Sequence, residues 1–348
     1  MGCQSLIFID LSNLNTEKVF STDNMFSNCH SLISIDLPKC NIKRLEDMFS
    51  MFENCTSLTS IDLSNFNTED VNDMRYMFSN CKSLISIDLS NFNTENVYDM
   101  QYMFSNCQSL ISIDLSNFNT KEVRYMNNMF ENCTSLTSII FSNFNTEYVE
   151  DMQYMFSNCQ SLISIALSNF GLGYIDYMNN MFENCTSLTY IDLSNFKIDY
   201  VYDMRYMFSN CQSLISIDLS NFNTKYTDDI QYMFSNCHSL TSIDLSNFDT
   251  EDVHYMNNMF ENCTSLTSID LSNFNTIRIK QMDFMLYYCP SLTYIDISSF
   301  NTNLNEIDLL DFEAKNGTLK INTDFLEKLK VKPPEDWTII IEIKDKNK

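Results

Sequence analysis

Glycine and proline are almost missing from this chain, with 4 of each in 348 residues. Backbone that turns tightly or approaches a substrate closely draws on glycine, so a loop-built active site has little to be made from. Positive charge is scarce as well. Lys+Arg number 21 against 46 Asp+Glu, a net charge of −25. Phosphate binding needs clustered Lys and Arg, and this balance excludes nucleic acid and anionic membrane surfaces as main partners. No apolar run reaches the roughly 18 residues of a membrane-spanning helix, so direct membrane insertion is excluded. Residues 1–20 lack the basic start and apolar stretch of a secretory signal. Met1-Gly2-Cys3 is followed by Leu6, where an acylated amino terminus wants Ser or Thr. Three histidines and no C-x-x-C pair leave zinc sites without ligands. With no Gly-rich phosphate loop and no nucleophile set beside a base, the reading is a non-enzyme without a cofactor.

What is abundant is sulfur and aromatic carbon: 27 Phe, 21 Met, 18 Tyr and 13 Cys. Twelve of the cysteines fall on one 26-residue comb running from Cys3 and Cys29 through Cys55 and Cys81 to Cys289, and Cys40 alone lies off it. The unit from Cys55 reads CTSLTSIDLSNFNTEDVNDMRYMFSN, and the next reads CKSLISIDLSNFNTENVYDMQYMFSN. A fixed period of this length marks a solenoid whose units touch only their neighbours. A longer period overlies it, since VNDMRYMFSNC at 71–81 returns as VYDMRYMFSNC at 201–211. That offset of five units points to block duplication.

Two hydrophobic periods share each unit. Leu58, Ile61 and Leu63 alternate with Asp62 and Ser64 as a half-buried strand. Val71, Met74, Met77 with Phe78, and Cys81 follow at spacings of three and four, which predict a short helix. Asn67 or Thr68 would cap it, with Glu69 and Asp70 in its first turn. The expected fold is an α/β solenoid of about twelve strand–helix units, with a parallel sheet on one face and helices on the other. Residues 1–303 form the solenoid, whose amino-terminal cap is missing. The pattern fades after Asn303, and residues 304–348, with 10 acids and 8 lysines, are expected to be a carboxy-terminal cap carrying a strand at 338–343.

These residues carry a resemblance. L-x-x-I-D-L-S-x-F resembles the leucine-rich repeat, and M-F-x-N-C-x-S-L is similar to the corresponding stretch of the BspA-like class, the 26-residue bacterial surface protein repeat. The resemblance implies a curved solenoid with the sheet on its concave face. It also implies part of a longer cell-surface protein that adheres to host or neighbouring cells and to matrix proteins.

In a solenoid a feature counts as a column, one residue per coil about 4.8 Å apart. The outward strand column holds Asp10, Asp36, Asp62, Asp88, Asp114, Asp192, Asp218, Asp244, Asp270 and Asp296, with Ile140 and Ala166 interrupting it. Stacked carboxylates should splay into water, raise their pKa values or recruit cations, which makes the column a candidate for weak divalent-cation binding. As a bland alternative, it is a solvated face that charge keeps apart from other sheets. Asp62, Asp88 and Asp114 on one side of the gap, and Asp192, Asp218 and Asp244 on the other, are the candidate partner-binding residues, with Tyr190 as an anchor. Phe141 beside Ile140 would add an apolar patch. The cysteines sit at an inward phase and are expected to be buried thiols. Asn54, Asn132, Asn184 and Asn262 begin N-C-T sequons but are expected to be structural.

Two functions follow. The first is a protein-binding module of a surface adhesin whose partner is a host, matrix or neighbouring-cell protein. The alternative is an intracellular, cytoplasmic scaffold, or a subunit that stacks end to end.

Overall fold

A computed structural model describes residues 2–342 except 12–15, 17, 38–44, 65, 171–174, 197 and 199. Cys40 and Asn65 therefore lie outside the described residues. The chain forms two compact units, Met1–Tyr174 and Ile175–Lys348.

In the first unit, β1 (Phe8–Asp10), β2 (Ser34–Asp36), β3 (Ser112–Asp114), β4 (Ser138–Ile140) and β5 (Ser164–Ala166) each contribute three residues to a coil. β1 pairs with β2 and β3 with β4, parallel and in register at 26-residue offsets. The second unit contains β6 (Tyr190–Asp192), β7 (Ser268–Asp270), β8 (Tyr294–Ile297), β9 (Thr318–Asn322), α1 (Thr323–Lys328) and β10 (Thr338–Glu342). There β7, β8, β9 and β10 form one parallel sheet in that order.

The expected helices are absent from the repeats. Among the described residues the one α-helix is α1, outside the repeat pattern. In place of a helix each coil returns through stacked turns. The amides of Met74, Tyr76, Phe78 and Asn80 donate to Asp99, Gln101, Met103 and Ser105 of the next coil at 2.8–3.0 Å. Those of Met77, Ser79 and Cys81 donate three residues back, to Met74, Tyr76 and Phe78. An α-helix would spend every such amide four residues back; here half of them knit adjacent coils. Bonds to i−3 also bring residues three apart to one side, so the Met74, Met77, Cys81 spacing that imitates a helix is the period of consecutive turns.

Those turns need left-handed backbone, and the chain supplies it without glycine. Tyr76 (φ 57°) and Asn80 (φ 60°) take that conformation, as do Tyr102 and Asn106 one coil on. Asparagine tolerates this region through local hydrogen bonding. The scarcity of glycine thus excluded less than expected.

The core is built by columns. Met77, Phe78, Cys81 and Leu84 are fully buried, like their counterparts in the following coils. Phe52, Phe78, Phe104 and Phe130 stack face to face at 5.5–5.6 Å between centroids, and Phe182, Phe208 and Phe234 do so in the second unit at 5.7 and 5.4 Å. Thr68 is buried; its hydroxyl donates to the Asn93 carbonyl at 2.9 Å and accepts from the Asn93 amide at 2.8 Å. Asn67 does perform capping chemistry, its Oδ1 accepting the Glu69 amide at 3.1 Å, but the turn it closes leads into no helix.

Candidate protein-binding faces

On the strand face of the first unit Asp62, Asp88 and Asp114 stand exposed on three successive coils. In the second unit Asp192, Asp218 and Asp244 do the same, with Asp192 half-buried and Tyr190 two residues ahead of it on β6 at 60 % exposure. The structure brings each trio together within its own unit. All six aspartates share one local device. Oδ1 accepts the amide of the serine two residues on, at 2.9 Å for Asp62, Asp88, Asp114, Asp218 and Asp244 and 3.0 Å for Asp192. This turn fixes where the carboxylate points.

In four of the six the bond also lowers the carboxyl's proton affinity. The hydroxyl and then the amide of Ser64 hold Asp62 below the usual carboxylate range, as Ser220 does for Asp218. For Asp88 and Asp244 the amides of Ser90 and Ser246 contribute most. Repulsion from Asp62 is the smallest influence on Asp88. Of the three expected responses to stacking, these four carboxylates therefore do not raise their pKa values. They sit in water, where repulsion is screened to about 1 kcal/mol.

Two parts of the expected column leave it. Asp296 is 2 % exposed on β8 and is engaged by Lys320 Nζ of β9 at 2.7 Å and by the Ser298 hydroxyl at 2.6 Å. Burial works to raise this carboxyl, but the bonds from Lys320 and Ser298 outweigh it and hold it low. In the gap, Ile140 is exposed while Phe141 is buried. The Phe141 ring sits edge-on to Phe144 at 4.5 Å and to Phe170 at 5.3 Å. Phe141 is core, not part of a surface patch.

A second acidic column, on the turn face, was hidden in the repeat. Asp47, Asp73, Asp99 and Tyr125 bridge successive coils in the first unit, as do Asp203, Asp229 and Tyr255 in the second. Arg75 binds Asp73 and reaches Asp99 at 3.6 Å. Arg205 repeats this with Asp203 at 2.6 Å and Asp229 at 3.6 Å. Burial pushes Asp99 and Asp229 up to about 6, against the pull of Gln101 or Gln231 and of the arginine. Burial and a hydrogen bond with Asp23 carry Asp47 to about 6. The signal was available: the D-M-R triplet of 73–75 recurs at 203–205.

The twelve described cysteines are free thiols, and all but Cys3 are buried. Most of the buried ones have a task that a plain hydrophobe would not perform. Cys81 Sγ donates to the Phe52 carbonyl of the preceding coil at 3.2 Å, and Cys107 to that of Phe78 at 3.2 Å. Burial raises these thiols, to about 12 for Cys133 and Cys237, which removes the nucleophilic thiolate. The sequon residues Asn132 and Asn262 are spent between coils, donating to Asn106 and Asn236 at 3.1 and 2.8 Å. Among the described residues no three His, Cys, Asp or Glu side chains converge to hold a metal ion.

Residues 2–112, 56–170, 137–242, 162–267 and 215–315 each match the family described as "Mycoplasma protein of unknown function, DUF285". The chain belongs to this family. DUF285 repeats thus run without a break from 2 to 315, and β9, α1 and β10 lie beyond them. Among solved structures, a leucine-rich repeat protein from Bacteroides ovatus is 20 % identical, over 96 % of this DUF285 chain and 92 % of its own, with a TM-score of 0.49. A leucine-rich cell surface protein from Faecalibacterium prausnitzii is 20 % identical, over 85 % and 83 %, at 0.47. The T. pallidum leucine-rich repeat protein is 21 % identical, over 60 % and 78 %, at 0.34. With TM-scores below 0.5 none of these likenesses bears on function. No curated protein matches the chain. The coils themselves define a leucine-rich-repeat-like β-solenoid.

Proposed function

We propose that this DUF285 chain is a non-enzymatic protein-binding module, the ligand-binding repeat region of a BspA-like cell-surface adhesin. Its acidic strand face takes a basic or mixed protein surface. The observation that carries the reading is oriented, ionised charge: Asp62, Asp88, Asp218 and Asp244 are exposed, aimed by their serine turns and held below the usual carboxylate range. Within each unit such a row attracts a cationic partner and rejects an anionic one. Divalent cations would bridge it to partners that are themselves acidic. Residues 304–348 serve as the cap of the last coils, with β9 and β10 extending the sheet and Lys320 closing over Asp296. The module works at the cell surface as part of a longer precursor.

Binding to an immobilised extracellular-matrix protein across a salt series tests this. The wild type is compared with a variant carrying Asn at Asp62, Asp88, Asp114, Asp192, Asp218 and Asp244. Saturable binding that falls steeply with salt and is lost in the variant is the expected result. Binding that ignores both salt and substitution would sink the acidic-face reading.

The free thiols favour the intracellular scaffold as second reading, because reduced cysteines suit a reducing compartment. A well-folded wild type that binds no matrix protein at any salt would select it.

A further inference from the structure

In the first unit a cleft of about 410 Å³ opens between two successive coils. It is lined by Glu95, Asn96 and Tyr98 of one coil and by Asn119, Lys121, Glu122 and Arg124 of the next. None of the strand-face aspartates borders it. Stacking does not dictate these residues. The position of Tyr98 holds Asn72 one coil earlier and Arg124 one coil later, while Met77, Met103 and Met129 repeat unchanged in the core. The volume lies within the roughly 300–1,000 Å³ of small-molecule sites.

One network builds the cleft. The Arg124 guanidinium is drawn toward the following coil, to Glu150 Oε1 at 3.1 Å and over the Tyr148 ring at 5.3 Å. Glu150 also accepts from the Tyr125 hydroxyl at 3.3 Å, and the Tyr125 ring meets Tyr98 edge-on at 5.6 Å. Tyr98 is thus braced while 47 % exposed. The two amides are fixed in opposite senses. Asn96 Nδ2 donates to the Glu69 carbonyl at 2.8 Å, which leaves its Oδ1 as an acceptor. Asn119 Oδ1 accepts the Lys121 amide at 3.2 Å, which leaves its Nδ2 as a donor. Side chains held in this way lose little freedom when a ligand arrives.

Charge and polarity select the ligand. Glu95 and Glu122 balance Lys121 and Arg124, so the lining is formally neutral in a chain of net charge −25. Neither a polyanion nor a polycation is matched. An apolar ligand would strip water from these charges and from both amides, with one ring to offset the cost. A hydroxyl both donates and accepts, so adjacent hydroxyls answer the Asn96 acceptor and the Asn119 donor together. The C–H face of a sugar ring packs on an aromatic side chain such as Tyr98. We infer that this cleft binds a neutral sugar, with Tyr98 as the platform, Asn96 and Asn119 bonding adjacent hydroxyls, and Lys121 and Glu122 at the rim. The site goes beyond the protein-binding reading, because it uses other residues of the coil and another class of ligand.

The test uses the full chain and saturation-transfer NMR on a mixture of maltose, cellobiose, lactose, mannobiose and chitobiose at millimolar concentration. At least one sugar should bind, with an affinity that does not change between low and high salt. Tyr98→Asn should weaken it at least about tenfold. Asn119→Asp keeps the Oδ1 that closes the turn but removes the donor, and should weaken it as well. Both variants suit the fold, because the chain itself places Asn72 and Asp249 at those positions. Tyr202→Asn, at the same position in the second unit and 46 % exposed, should change nothing. A folded wild type that binds none of the sugars, or binding indifferent to Tyr98→Asn and Asn119→Asp, overturns the inference. So does displacement of the sugar by glycine or glucuronate at equal concentration, since the ligand is then a charged molecule. The variant with Asn at the six strand-face aspartates should bind sugar as wild type does. Loss of sugar there would move the site to the strand face, whereas loss of matrix protein alone leaves both readings standing.

Discussion

Aspartate shows how far one residue type is made by its surroundings. Asp88 is exposed and held low by Ser90, Asp99 is buried beside Gln101 and raised to about 6, and Asp296 is buried against Lys320. The last case has the sharpest consequence. A buried carboxylate that loses its partner costs far more than the pair contributes. Lys320→Met is expected to lower the urea-unfolding midpoint. Adding Asp296→Asn should restore most of that. An unchanged midpoint for Lys320→Met would mean that the ion pair supports nothing. Sequence alone put Asp296 in the same column as Asp88, because alternation assigns a direction to a side chain but not what later packs over it.

At the scale of the element, the turn stack replaces the helix. Its corner positions hold Asn or Tyr in left-handed backbone, for example Asn80 and Tyr102. A β-branched residue pays a steric penalty there that asparagine largely avoids. Asn80→Val should cost about 1–2 kcal/mol in chemical denaturation, whereas Asn80→Gly should stay within a few tenths. Equal losses from both would show that the side chain, not the backbone, matters. The strand half was legible in part: period two placed strands such as Ser112–Asp114 and Ser138–Ile140, but residues 60–62, where the strand was expected, and residues 86–88 run extended without forming one. The other half was not: spacings of three and four fit a helix and a run of i−3 turns alike. What separates them is the bonding of Tyr76 and Phe78 to Gln101 and Met103, residues 25 positions away.

For the whole molecule, the two acidic columns oppose each other in pH. Asp47, Asp99 and Asp229 have folded pKa values raised to about 6. The folded state holds these protons more tightly than the unfolded chain, so their contribution to stability is fully present below about pH 4 and is lost as pH rises through 6. Asp62, Asp88, Asp218 and Asp244 are lowered, so theirs is present above about pH 4 and is lost as pH falls below it. Stability should therefore peak on the acid side of neutrality. Thermal melts at constant ionic strength should give a higher Tm at pH 5 than at pH 8, and Asp99→Asn with Asp229→Asn should flatten the difference. A Tm that climbs from pH 5 to 8 would contradict it. Relief of the net charge of −25 works in the same direction, which is why the double variant is needed.

The sequence by itself determined the architecture: one 26-residue unit repeated, Met, Phe, Cys and Leu inward, and Asp outward on a short parallel strand. A period repeated a dozen times leaves little choice, because each coil must present to the next the same face it receives. Tertiary structure alone decided that the return is made of turns, that the cysteines donate to phenylalanine carbonyls of the preceding coil, and that Asp99 and Asp88 differ in proton affinity. Each of these depends on contact between residues about 25 to 29 apart, and pattern within one unit carries no information about which neighbour an amide, a thiol or a carboxylate will meet.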